Sequence, residues 1–205
     1  MKLLLTAFDP FGGESINPAQ EAVKLVPDRI GEVNVVKLVV PTVFRRSVGV
    51  VADAIARERP DAVLCIGQAG GRYGFTPERV AINMDDATIP DNEGNQPTDV
   101  PIEPNGPSAY FSTLPIKAMV GAMRAAGLPA SVSNTAGTFV CNHLLYGVLH
   151  FLQQNGLRTP AGFLHVPYTT AQAAAHPTPV PSMSTETIAQ GIGVAIGVVA
   201  ATLHP

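Results

Sequence analysis

Short apolar runs alternate with longer helical patterns along most of the chain. Apolar runs predict buried strands at Lys2–Phe8, Val33–Val40, Ala62–Gly67 and Ala161–Val166, with shorter candidates at Arg79–Met84 and Ser131–Ser133. Helical spacing predicts helices at Pro18–Leu25, Val43–Glu58, Pro115–Ala126, Val140–Gln154 and Ser184–Leu203. Unbroken apolar strands are typical of a sheet with helices on both faces. We therefore predict an α/β fold, a three-layer α/β/α sandwich around a mixed, mostly parallel sheet.

The alternation fails between Ala87 and Pro115, where Pro, Asn, Asp and Gly dominate. A long segment of this kind inside a compact protein is commonly a lid or a binding loop. It is not a linker between domains, because neither flank is long enough to be stable alone. We therefore predict a single domain over residues 1–205.

Composition excludes several classes of protein. The 205 residues are 46% hydrophobic and 14% charged, which excludes a disordered chain and favours self-association. A net charge of −3 without a basic stripe offers no footprint for nucleic acid or an anionic membrane. The apolar start Met1–Thr6 is too short for a signal peptide, and the apolar end Ile188–Leu203 is too short to span a bilayer. We expect a soluble cytoplasmic protein that forms a homo-oligomer.

The most informative stretch is Ser133–Tyr146, in which a small polar loop runs into a helical pattern with Cys141 at the junction. Backbone N–H groups in the first helical turn lack intrahelical partners and favour negative charge. A thiol placed there is expected to have a lowered pKa and to act as a nucleophile. The alternative is a buried, unreactive thiol, as most free cysteines are. That alternative is the expectation for Cys65, which lies inside an apolar strand, and two cysteines are too few for a disulfide scaffold.

A cysteine nucleophile needs a base, and the chain has five histidines. His143 stands about 200° around the predicted helix from Cys141, and His150 is more than two turns away, so neither can readily meet the thiol. Two others are expected to face solvent: His176 and His204. His165 ends a predicted strand, and functional residues of α/β sheets gather beyond the carboxyl ends of strands. His165 is therefore the candidate base, although structural histidines are common at such positions.

Other groups give weaker signals, and they leave alternatives open. A zinc site around Cys141-Asn142-His143 is rejected, because it lacks paired ligand spacing and a clear fourth ligand. The loop Gly67–Gly74 has neither G-x-G-x-x-G nor a P-loop lysine, so phosphate binding is a weak hypothesis. The acidic pair Asp85-Asp86 is typical of solvated carboxylates. A phosphorylase-like transferase and a non-catalytic binding module remain alternatives to a cysteine hydrolase.

Five motifs together carry a resemblance to a known family. They are Thr6–Gly13, Gly67–Asn83, Ile89–Asn92, Ser133–His143 and Phe163–Tyr168. In this order, and over essentially the whole chain, they resemble the pyroglutamyl-peptidase I family of cysteine peptidases. The resemblance implies a phosphorylase/hydrolase-like sandwich and an exopeptidase that removes an N-terminal pyroglutamyl residue from peptides through a thioester. It also implies a tetramer or dimer, and neither a metal nor another cofactor.

The resemblance assigns roles to particular residues. It implies catalysis by Cys141, His165 and Glu78, with Asp91 as a second candidate partner of the histidine. It implies that the substrate ring is bound by Phe8, Phe11, Gln68, Phe139 and Val140. The chain departs from the family pattern at Thr88, where relatives often carry arginine. If that arginine holds the oxyanion in relatives, the Cys141 N–H and other loop donors carry more of that task here.

Overall fold

The computed structural model describes residues 1–203, and its helices and strands follow the predicted alternation. The strands are β1 (Lys2–Phe8), β2 (Arg29–Ile30), β3 (Val33–Val40), β4 (Ala62–Gln68), β5 (Thr76–Pro77), β6 (Val80–Ile82), β7 (Ala109–Phe111), β8 (Ala161–Val166), β9 (Tyr168–Thr169) and β10 (Ser182–Met183). The helices are α1 (Pro18–Leu25), α2 (Arg46–Glu58), α3 (Ile116–Ala125), α4 (Val140–Gln154), α5 (Thr170–Ala175) and α6 (Thr185–Leu203).

The central sheet has six strands in the order β2-β3-β1-β4-β8-β5. The four inner strands are parallel, and the short edge strands β2 and β5 are antiparallel to their neighbours. Inner parallel strands are buried on both faces, which explains the unbroken apolar runs of β1, β4 and β8. The predicted mixed, mostly parallel sheet is confirmed. The carboxyl ends of β1, β4 and β8 lie side by side, so the residues that follow them share one edge of the sheet.

Helices cover both faces of this sheet. Helices α1, α3 and α6 pack together on one face, and α2 and α4 pack on the other. Successive residues of β1 alternate between the two cores, with Leu3 and Leu5 in the first and Leu4 and Phe8 in the second. Burying each such leucine side chain stabilises the fold by about 1.5–3 kcal/mol. The predicted three-layer sandwich is therefore confirmed.

Two predicted elements differ from the structure. The segment predicted as a strand, Ser131–Ser133, runs parallel to residues 75–79 but makes only isolated bridges. Pro77, which lies opposite this segment, has no N–H to donate, so the ladder lacks a rung there. Helix α2 begins at Arg46 rather than at Val43, because Arg45 has a φ of +59°, outside the helical region.

Helix α6 has 19 residues, so by length and composition alone it could cross a membrane, contrary to the expectation that the apolar end of the chain is too short. In the structure it packs against α1 and α3, and five of its side chains are fully buried in the core: Ile188, Ile192, Ala195, Ile196 and Val199. The core helix of a globular protein satisfies the same test of length and hydropathy. These contacts assign α6 to an outer layer of the sandwich.

Candidate active site

The predicted nucleophile and base lie at the carboxyl edge of the sheet. Cys141 is the second residue of α4, and Gly67 near the end of β4 pairs with His165 in β8. A Cβ on Gly67 would lie 3.0 Å from Cys141 Sγ and 2.6 Å from Cζ of Phe163. Because Phe163 and His165 project from the same face of β8, the thiol and the imidazole share one side of the sheet. Among the described residues, His165 hydrogen-bonds through its side chain to Glu78 rather than to Cys141.

Glu78 and His165 form a buried hydrogen-bonded pair. His165 Nδ1 lies 2.7 Å from Glu78 Oε1, and the two side chains are 4% and 0% exposed. Burial would raise the pKa of Glu78, but the hydrogen bond with His165 and the charge that His165 carries when protonated hold it below its ordinary value, with smaller contributions from Ser133 and Arg72. An ionised carboxylate only accepts hydrogen bonds. His165 therefore carries its proton on Nδ1, and Nε2 is left as a base.

Desolvation also decides the protonation state of Cys141, which is half-buried. It raises the pKa of Cys141 to about 12; the negative charge of Glu78 adds to this rise, and the charge of Arg72 opposes it. Burial lowers the pKa of His165 below its ordinary 6.5, against the hydrogen bond and charge of Glu78. This direction is opposite to the lowered pKa expected for Cys141, because desolvation and the charge of Glu78 outweigh the charge of Arg72. The resting site holds a neutral thiol on the same side of the sheet as a neutral imidazole.

Asp91 is placed differently from Glu78. Its Oδ2 accepts a 2.9 Å hydrogen bond from the Phe44 N–H, and its Oδ1 accepts from the N–H groups of Glu93 at 2.9 Å and Asn95 at 2.8 Å. These bonds tie the long loop to the segment before α2. Burial would raise the pKa of Asp91, but the Asn95 side-chain amide and these backbone donors hold it below its ordinary value. Of the two predicted acids, the structure brings only Glu78 to His165.

The residues predicted to bind the substrate ring fall into two groups. Phe11 and Phe139 are half-buried, with ring centroids 6.0 Å apart. Gln68 is also half-buried, and its Oε1 accepts a 3.4 Å hydrogen bond from Gln172 Nε2. The Gln68 amide N–H₂ remains a donor for other partners. The other two predicted residues are buried in the core, at 2% and 0% exposure: Phe8 and Val140.

A second buried acid–histidine pair lies behind the aromatic rings and was not anticipated from the sequence. His143 Nε2 accepts a 2.7 Å hydrogen bond from the Arg45 N–H, and Nδ1 lies 2.8 Å from Asp85 Oδ2. Because Nε2 accepts, His143 is neutral and donates through Nδ1. The expectation of a solvated Asp85 is wrong, since its carboxylate is buried in this pair. The ring of Phe44 stands edge-on to both His143 and Phe139, with centroids 5.4 Å away from each.

The remaining histidines are engaged elsewhere. His150 Nδ1 lies 2.9 Å from the Tyr110 hydroxyl. His176 is half-buried, and its Nδ1 lies 2.8 Å from the Thr178 carbonyl oxygen. His204 lies outside the described residues. Among the described histidines, His165 therefore remains the candidate base.

The sequence reasoning also missed Arg72, which contacts the buried acid. Its Nη1 donates to Glu78 Oε1 at 2.7 Å, the same oxygen that His165 contacts. The sequence signal available for it was a single charged residue inside the glycine-rich loop Gly67–Gly74. Nothing in the local spacing shows that this loop folds back onto Glu78.

Comparison with known proteins identifies relatives over the whole chain. The sequence profile described as pyroglutamyl peptidase matches residues 1–202. A pyrrolidone-carboxylate peptidase of Clostridium perfringens is 59% identical over 196 residues, which are 96% of this chain and 92% of the relative. The crystal structure of Bacillus amyloliquefaciens pyroglutamyl peptidase I superposes with a TM-score of 0.93 at 45% identity, over 98% of this chain and 97% of that one. A mutant pyrrolidone carboxyl peptidase from Pyrococcus furiosus superposes with a TM-score of 0.94 at 40% identity, over 99% of this chain and 100% of that one. This chain therefore belongs to the pyroglutamyl peptidase family.

Proposed function

We propose that the protein is a cysteine exopeptidase that removes an N-terminal pyroglutamyl residue from peptides and proteins. The observation that best supports this proposal is the buried 2.7 Å hydrogen bond between His165 Nδ1 and Glu78 Oε1. It leaves Nε2 as a base on the face of the sheet that holds Cys141. Family membership supports the substrate class, since relatives 45% and 59% identical are named for pyroglutamyl or pyrrolidone-carboxylate peptidase activity.

The proposed reaction begins with a neutral pair. His165 Nε2 takes the proton from Cys141 Sγ as the sulfur attacks the pyroglutamyl carbonyl carbon, and a C–S bond forms. The tetrahedral intermediate collapses when the C–N bond breaks, and His165 returns the proton to the leaving amine. Water, deprotonated by His165, then attacks the thioester carbon. The C–S bond breaks, His165 returns the proton to Cys141 Sγ, and pyroglutamate leaves.

The oxyanion is held by backbone donors in this proposal. The N–H of Cys141 lies in the first turn of α4, where backbone donors lack intrahelical acceptors. Thr88, where relatives often carry arginine, is exposed in the long loop. A threonine there has no charge to offer, so we assign the larger share of oxyanion stabilisation to the helix N–H groups.

The pocket we propose for the lactam ring uses the half-buried aromatics. Phe11 and Phe139 present ring faces to a small, flat and neutral substrate. The Gln68 amide donates to the lactam carbonyl, and Phe8 and Val140 form the buried floor. A proline ring lacks this carbonyl, so its binding would leave the polar groups unpaired.

Further properties are part of the same proposal. Residues 1–205 form a single peptidase domain that works in the cytoplasm and needs no metal or cofactor. Only 14% of the residues are charged, and α6 is apolar; both features support a homo-oligomer, either a dimer or a tetramer.

The test compares arylamine release from pyroglutamyl and prolyl anilides by the wild type, Cys141→Ala and Cys65→Ala. We expect release from the pyroglutamyl substrate only, its loss in Cys141→Ala with unchanged circular dichroism, and its retention in Cys65→Ala, whose thiol is buried in β4. Iodoacetamide should label Cys141 faster than Cys65 and stop turnover. Turnover by Cys141→Ala would refute the proposal, a requirement for phosphate would favour a transferase, and an inert wild type would favour a binding module.

A further inference from the structure

Arg72 reaches the back of the catalytic pair from the glycine-rich loop. Its Nη1 donates to Glu78 Oε1 at 2.7 Å and to Thr76 Oγ1 at 2.6 Å, and its Nη2 donates to the Thr135 carbonyl at 3.0 Å. The Arg72 side chain is 29% exposed, whereas that of Glu78 is 0% exposed. Arg72 also lines a surface cavity of about 380 Å³. The guanidinium thus separates the buried carboxylate from solvent and ties it to the loop that leads into α4.

The side-chain hydrogen bonds of Arg72 and His165 reach the same oxygen of the Glu78 carboxylate. Within the described chain, Glu78 Oε2 is buried without a hydrogen-bond partner, so Oε1 receives both Arg72 and His165. His165 is neutral at rest, which makes Arg72 the cation that offsets the buried carboxylate. A buried carboxylate without such a partner becomes protonated more readily.

The protonation of Glu78 decides which nitrogen of His165 is the base. An ionised Glu78 accepts from Nδ1–H and leaves Nε2 free to take a proton. A protonated Glu78 can instead donate to Nδ1, and the imidazole proton then sits on Nε2, where it prevents base catalysis. The tautomer of His165 therefore depends on the groups that keep Glu78 ionised.

We propose that Arg72 is a positioning residue that keeps Glu78 ionised and holds His165 in its Nδ1–H tautomer. Through Thr135 it also anchors the loop that leads into α4 and Cys141. This inference rests on the proposed function, because the tautomer matters only if His165 acts as a base. Arg72 acts through Glu78 and the loop.

Removal of the Arg72 charge should shift the pH–activity profile in one direction. Arg72 lowers the pKa of Glu78 by its hydrogen bond and lowers those of His165 and Cys141 by its charge, although burial is the largest influence on each group. Without Arg72 all three pKa values rise. Since the reaction needs Glu78 and His165 deprotonated and Cys141 able to lose its proton, the acid limb of the pH profile must move to higher pH.

Arg79 supplies a matched control for this proposal. It is also half-buried, and its Nε donates to Asn134 Oδ1 at 2.7 Å, next to the Thr135 that Arg72 contacts. It therefore supports the same loop, but its side-chain hydrogen bond is to Asn134 and not to Glu78. Arg79→Met removes a loop contact without removing the cation from the catalytic acid.

The experiment measures kcat/KM for a pyroglutamyl anilide and the rate of Cys141 alkylation by iodoacetamide across pH 5–9, in Arg72→Met, Arg72→Lys, Arg79→Met and the wild type. We expect Arg72→Met to move the acid limb upward and to slow alkylation about tenfold at pH 7, the change that one pKa unit produces. Arg72→Lys keeps a cation and should hold the acid limb near the wild-type position, with a lower kcat because a lysine cannot bridge Glu78 and Thr135 as a guanidinium does. Arg79→Met should match the wild type in both profiles.

Profiles of Arg72→Met that coincide with those of Arg79→Met would overturn the proposal. If Arg72→Met does not fold, Arg72→Lys decides, because an acid limb displaced despite the retained cation also contradicts it. The alkylation profile needs no substrate. If the wild type fails to cleave the anilide, the proposed function fails while the alkylation comparison still tests Arg72.

Discussion

Gly67→Ala tests whether close packing at the end of β4 sets the position of the nucleophile. The new Cβ would lie 2.6 Å from Phe163 Cζ, about 0.8 Å short of the 3.4 Å at which ordinary contact begins, and 3.0 Å from Cys141 Sγ. The Phe163 ring cannot retreat freely, because it packs against the His165 ring with centroids 4.7 Å apart and against Phe8 at 6.3 Å. The methyl group therefore pushes on the nucleophile and on the base at once.

The expected magnitudes follow from that overlap. Overpacking a dense core by one methyl group costs about 1–3 kcal/mol of unfolding free energy. For a chain of this size, each kcal/mol lowers the thermal midpoint by about 2–4 °C. Displacement of reacting groups by about 1 Å can cost about 10²-fold in rate. We therefore expect kcat of Gly67→Ala to fall about 10²-fold, far more than its modest loss of stability would explain at 25 °C.

The assay combines a thermal melt with kcat per folded molecule on a pyroglutamyl anilide. Gly121→Ala is the control, because Gly121 lies in α3 with open space around its Cβ position, and alanine there should stabilise the helix by about 0.5–1 kcal/mol without changing kcat. Wild-type kcat and an unchanged midpoint in Gly67→Ala would refute the claim that Gly67 is required for the contact between β4 and Cys141.

Three further predictions follow from hydrogen bonding at the two acid–histidine pairs. Glu78→Gln should lower kcat by about 10⁴-fold with little change in KM, because an amide can donate to His165 Nδ1 and favour the wrong tautomer. Single-turnover kinetics measure this loss in the chemical step, and a wild-type kcat would contradict the prediction. Since burial lowers the pKa of His165 below 6.5, and the base must be neutral, kcat/KM should stay high at pH 6.5 and fall only at lower pH; a pH profile with its acid limb above 6.5 would exclude that assignment. His143→Ala should leave Asp85 and the Arg45 N–H unpaired and lower the free energy of unfolding in urea by about 1–3 kcal/mol for each group, while folded molecules keep their kcat. A loss of kcat at unchanged stability would instead make His143 part of the site.

The layered fold and the candidate base could be predicted because their signals are local. Apolar runs such as those of β1 and β8 satisfy the requirement of strands buried on both faces. The position of His165 follows from the rule that functional residues gather at the carboxyl edge, and helix geometry alone excluded His143. The choice of Glu78 depended on the family resemblance, since no periodicity distinguishes it from Asp91.

The errors arise where distant segments decide the outcome. Asp85 looked like a solvated carboxylate because its burial depends on His143, which lies 58 positions further along the chain. Arg72 gave only the weak signal of one charge in a glycine-rich loop, because its position depends on how that loop folds onto Glu78 and onto Thr135, which is 63 positions away. The Ser131–Ser133 segment has strand-like residues, but its pairing fails at Pro77, a residue of a different segment. Sequence patterns report local preference, and these features are set by tertiary contacts.

The raised pKa of Cys141 changes the role of the helix terminus in the proposed reaction. At rest the thiol is neutral, so the N–H groups in the first turn of α4 do not have a thiolate to stabilise. They become useful when negative charge moves onto the carbonyl oxygen of the substrate, after His165 has taken the proton. Donors that interact more strongly with the transition state than with the resting state raise kcat, whereas equal interaction with both would not. A half-buried neutral thiol is therefore compatible with catalysis, because the fold places its electrostatic stabilisation at the oxyanion and not at the resting thiol.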